Sequence, residues 1–300
     1  MEKLMIVGGS GLLGGHLAKQ AKDEFEVVAT FKNHSFEMKG CRRIYMDITE
    51  PEKTKDIIMK ENPDTIILAA AQRDVDFCER NKAVATRINV EGAKNVALAS
   101  KRVHAKLVYL STDLVFDGSK GLYQEDDVPN PMNHYGFTKL EGEHEVENSQ
   151  DDFAIARVSV LYGWNLFDHT INFVTWIYNG LSEGKRLGLF TDQFRNATYI
   201  NSACEALLSI HKRDEKGVFH VVGKNCVNRH HIGLKIAETF GFDKDLITAS
   251  TSDEGDWQAI RPKKCCLDPD KMERILNVKS MSIGEGLSAM KAQVEDMKGI

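Results

Sequence analysis

Apolar runs and amphipathic stretches alternate along the first half of the chain: KLMIV, LLGGHLAKQ, FEVVAT, RRIYMD, PEKTKDIIMKE, DTIILAAA, a helical segment near Ala83 to Lys101, KLVYLS and FAIARVSV. Runs that stay apolar at successive positions are buried on both faces. They predict parallel strands with helices packed above and below. The fold class read from this rhythm is α/β, a doubly wound parallel sheet over residues 1–160. After about Val160 the rhythm breaks into mixed segments such as NFVTWIYNGLSEG, ATYINSACEALLSIH, GVFHVVG and HIGLKIAETFG. Residues 161–191 and 224–300 then read as a smaller substrate-binding region, with 192–223 returning to the first sheet.

The first apolar run is followed at once by Gly8-Gly9-Ser10-Gly11-Leu12-Leu13-Gly14, a G-x-x-G-x-x-G turn that opens a helix. Glycine lets the backbone turn tightly beside a pyrophosphate, and a helix amino terminus offers free N–H groups and partial positive charge. The turn makes residues 1–160 a Rossmann-type dinucleotide-binding domain. The second strand ends Ala29-Thr30-Phe31-Lys32, without the carboxylate that usually holds the adenosine ribose of NAD. Thr30 and Lys32, helped by Arg42 or Arg43, suit a 2′-phosphate, so NADP(H) is preferred and NAD(H) remains possible. Asp47 and Ile48 follow the third strand, where Asp47 is placed to accept from the adenine amino group. Ala69-Ala70-Ala71 follows the fourth and is small enough for a cofactor to lie across it.

The strand KLVYL ends in Ser111-Thr112-Asp113, at the edge where cofactor and substrate should meet. Next comes MNHYGFTKLEGE. If Asn133 caps a helix, Tyr135 and Lys139 stack one turn apart on one face. An ammonium beside a phenol favours phenolate and lowers its pKa, which makes Tyr135 a usable general acid or base.

Composition narrows the function further. The chain has 300 residues, 42% of them hydrophobic, enough for a substantial core. Its 39 basic and 44 acidic residues leave a net charge of -5, with no cationic footprint for nucleic acid. The amino-terminal apolar run is too short for a membrane span or a secretory signal, so a cytoplasmic protein is expected. Six cysteines (Cys41, Cys78, Cys204, Cys226, Cys265 and Cys266) show no C-x-x-C spacing, and free thiols are expected. His230-His231 has no third ligand at helical spacing, and no metal is expected.

GGSGLLG, AAAQRDVDFCE, INVEGAKNV, LSTDLVFDG, HYGFTKLEGE, RVSVLYG, the DQF stretch and RPKKCCL occur in the order found in the extended short-chain dehydrogenases/reductases. The chain resembles most closely their dTDP-4-dehydrorhamnose reductase branch, over nearly its whole length. The resemblance implies an NADP(H)-dependent reductase of a nucleotide-linked 4-keto-6-deoxy sugar, with Thr112, Tyr135 and Lys139 as the catalytic set. It implies that Asn89 and Ser111 lie by the cofactor, and that Asp113, Val160 and Arg261 meet the substrate. Val160 stands where these reductases often have tryptophan, and His16 where some have a metal-binding carboxylate. A homodimer is expected. Related 4,6-dehydratases carry Asp-Glu after the threonine, whereas Thr112 here is followed by Asp113-Leu114, which favours simple reduction. A nucleotide-sugar epimerase stays open as an alternative. So does a cofactor-bound regulatory subunit like that of methionine adenosyltransferase.

Overall fold

A computed structural model describes residues 1–167, 171–255 and 257–298, with the side chains of 294–298 left out. Its centre is a sheet of seven strands, all parallel. The first five are β1 (Lys3–Val7), β2 (Glu26–Phe31), β3 (Cys41–Tyr45), β4 (Thr65–Leu68) and β5 (Lys106–Thr112). With strands Phe153–Val158 and Gly217–Val221, the spatial order from one edge is Gly217–Val221, Phe153–Val158, β5, β4, β1, β2, β3. The order reverses at β1, so the carboxyl ends of β1 and β4 frame a crevice of the kind that binds ligands in open α/β sheets.

The strand pleat explains the unbroken apolar runs. Leu4 and Ile6 point into one core with Leu17, Ala29, Ile67 and Val108, while Met5 and Val7 point into another with Val28, Ile66, Leu68 and Leu107. A strand covered on both faces has no solvent side on which to place polar residues.

The remaining strands are short and form four separate pairs: Leu161–Tyr162 with Thr198–Tyr199, Leu187–Phe190 with Ile247–Ser250, Phe194–Asn196 with Cys226–Asn228, and Gly121–Tyr123 with Cys265–Leu267. No helix among the described residues is long and apolar enough to cross a membrane.

The cysteines depart from expectation. Cys226 and Cys266 are joined in a disulfide, while Cys41, Cys78, Cys204 and Cys265 are free. The partners are 40 residues apart in sequence, so no spacing motif announces them. Neighbours on a strand face opposite ways. Cys266 therefore meets Cys226, whereas the Cys265 thiol turns to the Asp113 carbonyl at 2.9 Å.

Candidate active site

The glycine turn is shaped by close approach. Gly8 has φ +98°, and a Cβ there would stand 2.8 Å from the Ala70 nitrogen. A Cβ on Gly14 would overlap the Gly8 carbonyl. The helix that follows, Leu12–Ala21, starts from Gly11, which supplies no side-chain cap, and has no acidic residue in its first turn. The first-turn N–H groups thus have no side-chain cap and no acidic residue of their own turn, which suits a pyrophosphate. The residues present fit the dinucleotide. Ser10, Gly11 and Leu12 are half-buried at this turn, and Leu13 is buried in the core.

Several side chains assigned to the cofactor have other partners. Thr30 is buried and its hydroxyl accepts from the Gly8 N–H at 3.2 Å, so it braces the turn from beneath instead of facing a phosphate. Lys32 is ion-paired to Asp47 at 2.6 Å. Asp47 also accepts from the Thr49 N–H and hydroxyl at 3.0 and 2.8 Å, so both its oxygens already have partners. Arg42 pairs with Glu61, and Arg43 with Glu37 and the Phe36 carbonyl. Ile48 is buried, and Ala69, Ala70 and Ala71 are half-buried beside the glycine turn.

Asn89 lies in a π-helical turn, Arg87–Glu91, within the predicted helical segment. Its side-chain oxygen accepts from the Gln72 N–H at 2.8 Å, and its amide donates to the Gln72 carbonyl and the Thr138 hydroxyl, both at 3.0 Å. Asn89 is thus a buried clamp between the loop after β4 and the helix that carries Tyr135.

That helix, His134–Ser149, begins as expected: the Asn133 side chain accepts from the Gly136 N–H at 2.8 Å. Tyr135, Lys139 and Glu143 recur at helical spacing along one face. Burial raises the Tyr135 phenol, with Asp113 and Cys78 acting in the same direction and Thr112 and Arg73 opposing. This corrects the expectation of a lowered pKa. Lys139, one helical turn on, rests its Nζ 4.0 Å from the centroid of the Tyr109 ring. Burial brings Lys139 itself down to about 7, with Glu143 pulling it up.

Ser111 is buried and its hydroxyl donates to Glu143, not to the crevice. Glu143 also receives Arg157 through two bonds of 3.0 and 2.7 Å. Asp113 is likewise an interior residue. It accepts from the Thr112 hydroxyl at 3.0 Å and the Ser159 hydroxyl at 2.7 Å, and Arg195 Nε lies 3.2 Å away. Its carboxyl is raised by burial, against Arg195, Ser159 and Thr112. Asp113 therefore aims Thr112 instead of offering itself to substrate.

Val160 follows Ser159 with φ +30°, a sterically costly conformation for a β-branched residue. Arg261 is held by Asp76 through bonds of 3.0 and 2.7 Å and lies 4.1 Å over the Trp257 ring. Nearby Arg229 stacks 4.6 Å over Phe173 and donates to Gln193 at 2.9 Å. Burial lowers Arg229 to about 10, reinforced by Arg195 and Arg261 and opposed by Asp113. No carboxylate ion-pairs with Arg229 among the described residues. His16 is buried and bonded to the Trp164 carbonyl at 2.8 Å. No group of three potential metal ligands occurs among the described residues.

The model of the RmlD substrate binding domain family matches residues 1–295. The chain belongs to this family. Among curated relatives, it is 31% identical over 97% of its length to a probable low-salt glycan biosynthesis reductase of Haloferax volcanii, covering 98% of that protein. It is also 31% identical to methionine adenosyltransferase 2 subunit beta of Xenopus tropicalis, over 91% of this chain and 82% of that one. A dTDP-4-dehydrorhamnose reductase from Bacillus anthracis, solved with NADP, superposes with a TM-score of 0.87 at 28% identity, over 97% of this chain and 99% of that one. As a member of the RmlD family the chain is an oxidoreductase.

Sequence reasoning missed Glu143, Arg157, Arg195, Arg229 and the disulfide. Glu143 had a signal, since it continues the four-residue spacing of Tyr135 and Lys139. The arginines had none, because their partners come from distant segments.

Proposed function

We propose that this protein reduces the 4-keto group of a nucleotide-linked 6-deoxy sugar with NADP(H). The observation that carries the reading is the contact of Tyr135 with the Thr112 side chain at the carboxyl end of β5, in a sheet whose first strand runs into the glycine turn. When bound, the reduced nicotinamide supplies hydride to the keto carbon. Tyr135 gives its proton to the keto oxygen. A phenol arrives protonated at neutral pH, and positive charge brought beside it in the loaded site makes it a stronger acid. Thr112, whose single hydroxyl hydrogen goes to Asp113 in the free protein, turns it to the same oxygen when the sugar arrives. Lys139 grips the nicotinamide ribose. Arg229 and Arg261 take the diphosphate, and Lys32 exchanges Asp47 for the 2′-phosphate. The homodimer expected from the resemblance belongs to the same reading, and light scattering tests it.

The decisive experiment follows NADPH oxidation against dTDP-, GDP- and UDP-linked 4-keto-6-deoxy sugars, with Tyr135→Phe alongside. The variant should lose about 10²–10⁴ in kcat. NADPH binding without turnover of any of these sugars would overturn the reading and favour a regulatory role.

A further inference from the structure

Glu143 is 2% exposed, and so is Lys139 one helical turn before it. Arg157, at 4% exposure, binds both oxygens of Glu143, and Ser111 donates to one of them. Two buried cations thus share one buried carboxylate. The guanidinium takes the hydrogen bonds, and the amine receives only the field. No carboxylate lies within ion-pairing distance of Lys139 among the described residues, and its other near support is the face of Tyr109.

We propose that Glu143 is a positioning residue, locked by Ser111 and Arg157, whose charge keeps Lys139 an ammonium poised beside Tyr135. The proposal deepens the reductase reading and rests on it. Burying an ammonium costs several kcal/mol unless a counter-charge is near, and the amine otherwise gives up its proton. Lys139 at about 7 stands at that boundary, with burial pressing it down and Glu143 holding it up. The groups facing it are Tyr135 and Glu143 on its own helix, Tyr109 on β5 and Arg157 on the neighbouring strand. Asp113, Cys78 and Arg73 act on the neighbouring Tyr135. On the side of helix Gly92–Arg102, Lys94 is already paired with Glu145 at 3.0 Å.

The sign follows directly. Lys139 is charged below its pKa, so activity that needs the ammonium falls as pH rises through it. Tyr135, raised by burial, stays protonated across the same range. Glu143→Gln keeps the shape and removes the charge. It should move the alkaline limb of kcat/KM down by about one pH unit. The loss should then be about ninefold at pH 8, about twofold at pH 6 and nearly absent at pH 5, while Glu143→Asp keeps the wild-type limb. A purely structural role predicts equal loss at every pH.

Lysine-selective 13C NMR titration of the cofactor-free protein reads Lys139 directly, with Lys139→Met to assign its resonance. Its midpoint should drop in Glu143→Gln and, less, in Ser111→Ala. Ser111→Ala also serves if the glutamine variant does not fold. An unchanged midpoint in the folded variants, or a uniform loss of activity, overturns the proposal. The titration needs no turnover, so failure of wild-type protein to reduce any sugar would sink the reductase reading while leaving this test intact.

Discussion

The two sides of the crevice are built differently. The cofactor side is made of backbone: a glycine turn, an uncapped helix start and three small alanines, contributed by consecutive strands of the sheet. The opposite side is made of long side chains from distant segments, with Asp113 bound to Arg195, Asp76 to Arg261, and Arg229 held by Phe173 and Gln193. Backbone construction leaves little to adjust, since a turn either admits a diphosphate or does not. Side-chain construction is tunable, because each ion pair can be exchanged for a ligand. This division matches a cofactor shared by many enzymes and a substrate particular to one.

If the comparison holds, damage to the backbone side should be the most severe and should strike the cofactor. Gly14→Val places side-chain atoms into the Gly8 carbonyl. Fluorescence titration should show NADPH affinity reduced by at least about 1,000-fold, or about 4 kcal/mol. Retained NADPH affinity would end the claim that this turn is a rigid cradle. On the other side, Arg195→Met leaves Asp113 buried without its cation and should cost about 3–5 kcal/mol in urea unfolding. The double variant Asp113→Asn with Arg195→Met should recover much of that loss. An additive double variant would mean that the pair is not coupled.

The difference in construction also explains what could be read in advance. Doubly buried strands such as Lys3–Val7 and Thr65–Leu68 declare themselves through unbroken apolar runs, and the glycine turn, the Asn133 cap and the Tyr135–Lys139 spacing are local in sequence. For Thr30 and Ser111, sequence gives a residue's place at a strand end but not the direction in which its hydroxyl is taken. Thr30 turns under Gly8, and Ser111 turns to Glu143. The partners of Asp113 were hidden for the same reason, since Ser159 and Arg195 join it only through the fold. The π-turn at Asn89 is equally silent in a helical pattern, because it follows from the need to reach Gln72 and Thr138 at once.

The disulfide sharpens the contrast at intermediate scale. It closes residues 226–266 into a covalent loop that carries Arg229, Trp257 and Arg261, and it leaves the glycine turn outside. The chain-entropy relation for a loop of this length gives about 4 kcal/mol, and measured bridges usually give about 2–4. Cys226→Ser, or reduction with dithiothreitol, should lower the unfolding free energy by that order. It should also raise the KM for the sugar nucleotide severalfold without altering NADPH affinity. An effect on NADPH of equal size would show that the two sides are not independent. Alkylation and mass analysis of the untreated protein checks the bridge itself.

The smallest expected effect lies where the cofactor side borrows a side chain. Lys32 is 44% exposed and already paired to Asp47, so a 2′-phosphate gains the ammonium only by releasing that carboxylate. The exchange of one partially exposed ion pair for another yields little, about 1 kcal/mol. Lys32→Ala should therefore weaken NADPH by about fivefold and leave NADH nearly unchanged. Asp47→Asn should do the reverse, because it frees Lys32 for the phosphate, and NADPH should tighten modestly. Opposite signs in the two variants would assign the NADP(H) preference to this exchange. If both variants weaken NADPH and NADH equally, Lys32 and Asp47 only brace the loop after β2, and any preference must come from the backbone there.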